Sequence, residues 1–178
     1  MIHKGTRVLE SKRLILRQFR EEDAEEIYNG FINQEEFLYY ANKKRRTLEE
    51  EKKSLLNIDK KYENNDYYNW LITRKEDNKI IGSINLNVHE INEMVEFNYV
   101  IDNRYTKKGY MTEALNLVKD YCLKELSVNR FQGGCCVENI ASKKVMEKCG
   151  MQYEGTLRKY IILSDGYHDM LMFSIINN

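Results

Sequence analysis

The 178-residue sequence has no proline, no formal net charge and no apolar run near the roughly 20 residues that a membrane-spanning helix needs. With 28 basic and 28 acidic residues, bulk charge gives no attraction to nucleic acids or membrane surfaces, so neither is an expected partner. The first residues also lack the apolar core of a signal peptide, which favours a cytoplasmic location. The absence of proline beside many Lys, Asn, Ile and Tyr residues is typical of an AT-rich bacterial genome.

Cysteine is scarce, and its spacing does not fit a metal centre. The four cysteines are Cys122, Cys135, Cys136 and Cys149. No two of them form a CxxC pair, and no nearby histidine completes a zinc set. We therefore expect reduced, mostly buried thiols and no metal site.

The length fits one domain covering residues 1–178, which can bury about 70% of its unfolded surface. Periodicity predicts strands over 6–17, 67–74, 79–88, 95–101, 130–137, 151–158 and 160–176, and helices from Asp23 to about Gly30, from Thr47 to about Tyr62, from Met111 to Leu126 and from Ile140 to Cys149. Residues 33–46 are ambiguous. This order predicts an α/β fold with one mixed sheet and helices on both faces.

One stretch stands at the centre of this pattern. A strand over 95–101 is followed by a polar turn that ends on Gly109, and the apolar spacing from Met111 onward is that of one helix face. The first amides of such a helix have no partner within it, and Lys107 and Lys108 lie beside them. A helix start of this kind is an anion site, and phosphate is its common occupant.

The segment from Tyr99 to Ala114 resembles the acetyl-CoA pyrophosphate loop of the GNAT N-acetyltransferases, most of all the RimJ/RimL branch that acetylates protein N-termini. The family pattern Arg/Gln-x-x-Gly-x-Gly/Ala falls on residues 106–111: Gly109 matches it, whereas Thr106 and Met111 replace the usual residues. Residues 10–24, 139–151, 154–158 and 165–169 resemble further segments of that branch in the same order. The resemblance thus covers nearly the whole chain.

The resemblance implies a GNAT fold with a mixed, mostly antiparallel sheet of six to seven strands, splayed at the strand over 95–101. It implies acetyl-CoA as cofactor, with pantetheine pairing along the splayed strand and the diphosphate on the loop. The implied contacts are Tyr99, Val100, Ile101, Thr106, Lys107, Lys108, Gly109, Tyr110, Met111, Thr112, Asn139 and Ser142. Asn139 is also the expected N-cap of the helix over 140–149, with Gly150 at its end.

Acetyl transfer needs a base for the amine and tolerates a weak acid for the thiolate. Glu96 lies on the splayed strand and is the first candidate base, although it can equally be a solvated strand residue; Glu154 and His168 are further candidates. Ser142 is a candidate proton donor. Met146 lies where many family members have a tyrosine that acts as the general acid, and methionine has no proton to donate.

The resemblance therefore predicts an acetyl-CoA-dependent N-acetyltransferase acting on a primary amine, with a protein N-terminal α-amine as the first candidate. A polyamine, amino acid or amine antibiotic is the alternative, and the acidic residues 21–26 could serve a polyamine. A non-catalytic CoA-binding module is a third interpretation. The oligomeric state is open, with a homodimer among the options.

Overall fold

The computed structural model describes residues 1–177 around an eight-stranded sheet. The strands are β1 (Leu9–Glu10), β2 (Leu14–Arg17), β3 (Asn69–Arg74), β4 (Ile80–His89), β5 (Met94–Ile101), β6 (Arg130–Cys136), β7 (Gln152–Leu163) and β8 (Gly166–Ile176). The helices are α1 (Ala24–Asn29), α2 (Glu35–Tyr40), α3 (Leu48–Leu55), α4 (Ile58–Tyr62), α5 (Tyr110–Asp120) and α6 (Ile140–Lys148).

The strand order is β1-β2-β3-β4-β5-β6-β8-β7, which places β5 inside the sheet between β4 and β6. β5 and β6 run parallel, and the other neighbouring strands are antiparallel. Parallel neighbours need a crossover, and α5 lies within this one. The end of β5 therefore leads through a short loop into the start of α5, and the mixed, mostly antiparallel sheet is confirmed.

Buried side chains form a layer on each face of the sheet. Side chains of β3 alternate between the two faces, as the strand period requires. Trp70 and Ile72 pack with Leu115 of α5, whereas Leu71 packs with Ile27 of α1 on the opposite face. Helices on both faces are thus confirmed.

The predicted strand over residues 6–17 is wrong as a single element. β1 and β2 form an antiparallel pair in which Leu9 lies opposite Leu16. Ser11 turns the chain between them: its amide donates to the Leu14 carbonyl at 3.0 Å, and its hydroxyl accepts from the Leu14 amide at 3.1 Å. This turn is why the sheet has eight strands rather than six to seven.

The predicted helix from Thr47 to Tyr62 is broken into α3 and α4. Its expected capping box is present, because Thr47 Oγ1 accepts from the Glu50 amide at 3.2 Å and the Glu50 carboxylate accepts from the Thr47 amide at 2.8 Å. The chain leaves the helix at Leu56, and Asn57 has φ +56°. Asparagine tolerates this left-handed conformation better than most residues, so the break falls there.

Two later elements also differ from the expected bounds. The helix predicted to run to Leu126 leaves α geometry after Asp120 and continues as a π turn over Tyr121–Glu125. β7 continues through Lys159, at φ +49°, as far as Leu163, so this strand extends beyond the expected end at Arg158. Within residues 1–177 no helix has the length and hydropathy that crossing a membrane would require.

Candidate active site

The loop after β5 is held by a buried carboxylate. Asp102 is fully buried, its amide donates to the Ile81 carbonyl at 2.8 Å, and its carboxylate accepts from the Arg104 amide at 2.9 Å and from the Arg104 guanidinium. Burial by itself would raise the pKa of Asp102, but hydrogen bonds from Arg104 outweigh burial and lower it. The ionised Asp102 therefore fixes the turn over Asn103–Tyr105 at the end of β5.

The residues that follow this turn have bare amides, that is, backbone N–H groups that donate no hydrogen bond. Lys107 and Gly109 have φ values of +60° and +80°, and Gly109 is the N-cap of α5. Within residues 1–177, none of the six backbone amides from Lys107 to Thr112 donates a hydrogen bond, whereas the Glu113 amide bonds to the Gly109 carbonyl at 3.0 Å. Left-handed turns that lead into a helix N-terminus collect amides into an anion site. This loop therefore fits a diphosphate.

Arg13 of the β1–β2 turn fixes this loop from outside. Its Nε donates to Glu113 Oε2 at 2.7 Å, its Nη1 donates to the Lys108 carbonyl at 3.1 Å, and its guanidinium lies 4.4 Å from the centroid of the Tyr110 ring. Burial would raise the pKa of Glu113, but hydrogen bonds from Ser11 and Arg13 lower it. Sequence inspection missed Arg13, because the contact joins residues 100 positions apart.

The lysines of the loop differ in their surroundings. Lys108 Nζ donates to the Arg104 carbonyl at 3.0 Å and lies 5.3 Å from the centroid of the Tyr105 ring, so this ammonium group braces the loop. The side chain of Lys107 is exposed beside the bare amides. Lys107 is therefore the cation better placed to meet a bound anion.

Strands β5 and β6 separate beyond Glu96. Their pairing covers only Met94 to Glu96 against Arg130 to Gln132, although β5 continues to Ile101 and β6 to Cys136. The predicted splay thus begins at Glu96. We call the point beyond Glu96 where β5 and β6 separate the fork. Gly133 lies there against the ring of Phe97.

Backbone direction separates the three residues that the resemblance assigned to pantetheine. The Asn129 amide donates to the Glu93 carbonyl on the β6 side, and the Asp102 amide donates to Ile81 on the β4 side. Backbone groups alternate in direction along a strand. Those of Tyr99 and Ile101 therefore face the open side, whereas those of Val100 face β4 and are taken up by the sheet. The assignment of Val100 as a backbone contact is corrected on this ground.

The side chain of Tyr99 on β5 reaches the start of α6, where Ser142 lies. Tyr99 donates to the Ser142 carbonyl at 3.4 Å, and burial raises the pKa of Tyr99, which keeps its proton in place. Asn139 Oδ1 accepts from the Ser142 amide at 3.0 Å, so the predicted N-cap is present. Met146, one turn further on, is 1% exposed and packed in the core. Met146 has no hydroxyl, whereas Ser142 and Tyr99 each have one near the open side of β5.

Glu96 lies at the fork with one carboxylate oxygen engaged. Gln132 Nε2 donates to Glu96 Oε2 at 3.0 Å, and Glu96 Oε1 has no hydrogen-bond partner within residues 1–177. The Glu96 side chain is partly exposed. This carboxylate can therefore accept a proton from a group that enters the fork.

The other two candidate bases are engaged in structural pairs. Hydrogen bonds from Arg130 and Ser174 lower the pKa of Glu154 to about 2, which makes it a poor proton acceptor at neutral pH. His168 Nε2 lies 2.8 Å from Asp165 Oδ1 and His168 Nδ1 lies 3.2 Å from Glu138 Oε1. These carboxylates raise the pKa of His168 and take both of its N–H groups. Neither side chain is therefore a good acceptor for the proton of a substrate amine.

The cysteines belong to the packing of the fold. Cys122, Cys135, Cys136 and Cys149 are all buried thiols. Burial raises the pKa of Cys135 and of Cys149 to about 11. Residues 1–177 include no group of three or more His, Cys, Asp or Glu side chains placed to hold a metal ion.

Comparison with known proteins identifies the class. The profile described as the acetyltransferase (GNAT) domain matches residues 13–152. The uncharacterized N-acetyltransferase YoaA of Bacillus subtilis is 28% identical over 170 residues, which are 95% of this chain and 96% of the relative. The ribosomal-protein-serine acetyltransferase of Escherichia coli is 29% identical over 103 residues, 57% of each chain.

A solved structure of the same class contains the coenzyme. It is described as RimL, a ribosomal L7/L12 alpha-N-protein acetyltransferase in complex with coenzyme A, and it superposes with a TM-score of 0.79 at 20% identity, covering 96% of this chain and 98% of its own. The superposition shows that the two chains share one fold. The chain belongs to the GNAT acetyltransferase family. It is an N-acetyltransferase, and its acetyl donor is acetyl-CoA.

Proposed function

We propose that this N-acetyltransferase acts on the α-amine of a protein N-terminus and that Glu96 takes the proton from this amine. The observation that carries the proposal is the position of Glu96 at the fork of β5 and β6, with Oε2 held by Gln132 and Oε1 without a partner within residues 1–177. Bound acetyl-CoA would supply the thioester-activated acetyl group. The bare amides from Lys107 to Thr112 would hold its diphosphate, and the open backbone groups of Tyr99 and Ile101 would hold its pantetheine arm.

A single carboxylate base is better matched to an α-amine as the acceptor than to the side-chain amine of lysine. An α-amino group has a pKa of about 7.8, so deprotonation at pH 7 costs about 1 kcal/mol, whereas an amine with a pKa of about 10.4 costs about 4.6 kcal/mol. Glu154 and His168 are engaged in ion pairs and do not add a second base. The energetic difference therefore favours an acceptor that is already partly deprotonated.

Three of the five acidic residues that could have served a polyamine, Glu21, Asp23 and Glu26, have structural partners instead. Asp23 is buried and pairs with Arg17 at 2.8 Å. Glu26 Oε1 accepts from the Ile80 amide at 2.9 Å, and Glu21 Oε1 accepts from an amide of the α3–α4 break at 2.6 Å. These contacts tie the segment to β2, β4 and the α3–α4 break, which disfavours a polyamine site built from residues 21–26.

We assign the stabilisation of the leaving thiolate to Ser142. Its hydroxyl stands in the first turn of α6, whereas the buried Met146 has no proton to donate. A free thiol has a pKa of about 8.5, so releasing an unassisted thiolate at pH 7 costs only about 2 kcal/mol. A hydroxyl that donates a hydrogen bond to the sulfur is sufficient help, and Ser142→Ala is expected to lower turnover by less than a change at Glu96.

Proteins named as acting on ribosomal proteins support the acceptor class. The relative from Escherichia coli is named a ribosomal-protein-serine acetyltransferase, and the coenzyme-bound structure is named an alpha-N-protein acetyltransferase. A protein N-terminus is consistent with both names and with the energetic argument. It is the acceptor class that these observations favour together.

The test is acetyl-CoA turnover, followed by thiol release, on matched amines. Peptides with a free N-terminal serine or alanine are compared with the same peptides carrying a blocked N-terminus and an internal lysine, and with spermidine and free amino acids. We expect the highest kcat/KM for the free N-terminal peptides. Preferred turnover of spermidine or of free amino acids would overturn the acceptor class.

The role of Glu96 is tested in the same assay. Glu96→Gln keeps the shape of the side chain and is expected to lower kcat by about 10²–10⁴, the usual range for a general base, without changing the affinity for coenzyme A. The exposed Glu63 gives a matched control, since Glu63→Gln should have no effect. An Glu96→Gln enzyme as active as the wild type would contradict the assignment of Glu96.

A further inference from the structure

Polar side chains of adjacent strands form one hydrogen-bonded row across the sheet face that carries Glu96. Glu96 on β5 lies opposite Gln132 on β6, and Gln132 lies opposite Ser174 on β8. Arg130, two residues before Gln132, reaches across to Glu154 at the irregular part of β7. The row therefore links the fork to the last hairpin through side chains alone.

Arg130 fixes which way the amide of Gln132 points. Its Nε donates to Gln132 Oε1 at 2.7 Å. A guanidinium has donors and no acceptor, so the carbonyl oxygen of Gln132 must face Arg130 and the NH₂ group must face Glu96. Nε2 accordingly donates to Glu96 Oε2 at 3.0 Å. A flipped amide would set donor against donor at Arg130 and acceptor against acceptor at Glu96.

The far end of the row is firmly held. Arg130 binds both carboxylate oxygens of Glu154, with Nη1 at 2.8 Å from Oε1, and Ser174 Oγ donates to the same oxygen at 2.6 Å. Arg130 and Glu154 together make a two-point ion pair, which defines direction as well as distance. The guanidinium that orients Gln132 is therefore itself oriented.

We propose that Gln132 is a positioning residue that holds one oxygen of the Glu96 carboxylate and turns the other toward the substrate amine. This inference rests on the proposed role of Glu96. By occupying Oε2, the amide of Gln132 leaves Oε1 as the oxygen available to the amine.

Substitution of Gln132 tests this. Gln132→Leu keeps a similar volume and removes the donor. We expect kcat to fall by about tenfold, the effect of one hydrogen bond to a charged group, with little change in the affinity for coenzyme A. The acidic limb of the pH profile of kcat/KM, which reports the base, should move, because the base has lost its hydrogen-bonded neighbour. A merely structural role would lower stability without moving this limb.

A double-mutant cycle isolates the path through Glu96. If Gln132 acts only through Glu96, Gln132→Leu has no further effect on kcat in the Glu96→Gln background. Gln132→Glu keeps the acceptor toward Arg130 but sets a carboxylate against Glu96, so it should move the acidic limb further than leucine does. This variant also serves if Gln132→Leu fails to fold, since it retains the polar character of the site.

Gln152 on β7 provides the matched control. It lies opposite Ser174, two strands away from β6, and its side chain is exposed. Gln152→Leu should leave both kcat and the pH profile unchanged. An active wild type with a Gln132→Leu variant of unchanged kcat and unshifted acidic limb would overturn this inference alone. A wild type without turnover on any N-terminal peptide would instead refute the proposed function.

Discussion

The ring of Phe97 lies so close to Gly133 that a Cβ atom at position 133 would stand 2.4 Å from the ring Cζ. This contact falls where β5 and β6 part, and Phe97 also stacks on Phe131 with ring centroids 4.8 Å apart. A side chain at position 133 would have to move the Phe97 ring, so glycine permits the aromatic packing at the fork. The opening of the strands and the glycine are therefore linked.

We predict that Gly133→Ala destabilises the protein by about 1–3 kcal/mol, as overpacking of a core does, and weakens binding of coenzyme A. Chemical denaturation and calorimetric titration measure the two effects. In a Phe97→Leu background the smaller side chain makes room, so the added cost of Gly133→Ala should shrink. An equal cost in both backgrounds would show that the ring is not the obstacle.

Arg13→Ala should loosen the loop without removing a group that meets the coenzyme directly. Arg13 joins Glu113 and the Lys108 carbonyl, and its loss frees the start of α5. We expect coenzyme A binding to weaken roughly tenfold, the scale of one lost hydrogen bond to a charged group. The neighbouring, exposed Lys12 is the control, and Lys12→Ala should bind coenzyme A like the wild type. Equal affinities of the wild type and both variants for coenzyme A would refute the role of Arg13 in holding the loop.

The pair of Glu154 and Arg130 predicts a stability difference that depends on acid pH. The pKa of Glu154 is lowered to about 2 from an ordinary value of 4.5, so its contribution is complete above 4.5 and is lost as the pH falls toward 2. Glu154→Gln should have a lower Tm than the wild type at pH 7, and the difference should vanish near pH 2. A difference in Tm that stays constant over this range would contradict the prediction.

The stability contribution of His168 should depend on pH with the opposite sign. Its pKa is raised from 6.5 by Asp165 and Glu138, so the imidazolium contributes fully below pH 6.5 and its contribution is lost as the pH rises through the raised value. Tyr39 also bonds to Asp165, at 2.9 Å, and ties α2 to this hairpin. His168→Gln should lower the Tm most at pH 5.5 and least at pH 9. A loss that grows with pH would refute this ion-pair assignment.

Local features could be predicted from the sequence because they depend on near neighbours. The turn at Gly109 and the caps at Thr47 and Asn139 each involve residues within four positions of one another. The resemblance added the splay of β5. The turn at Ser11 within the first strand and the break at Asn57 were missed, since apolar spacing continues across both.

The contacts that shape the site were beyond sequence reasoning for a physical reason. Arg13 meets Glu113, and Gln132 meets Glu96, only after strands distant in the chain have paired. The resemblance also assigned Tyr99, Val100 and Ile101 together to the coenzyme, whereas strand alternation turns the backbone groups of Val100 toward β4. Which of the candidate bases is free to act likewise depends on partners that folding supplies.

The most direct test of the account is an NMR titration of the ¹⁵N-labelled protein with coenzyme A. The amide signals of Lys107 to Thr112 should shift as the diphosphate accepts their hydrogen bonds, with the Gly109 signal an easily resolved reporter. Pantetheine, which lacks the diphosphate, should shift signals along β5 and leave those of the loop in place. Saturation with coenzyme A that left the loop amides unmoved while other signals shifted would contradict the central claim.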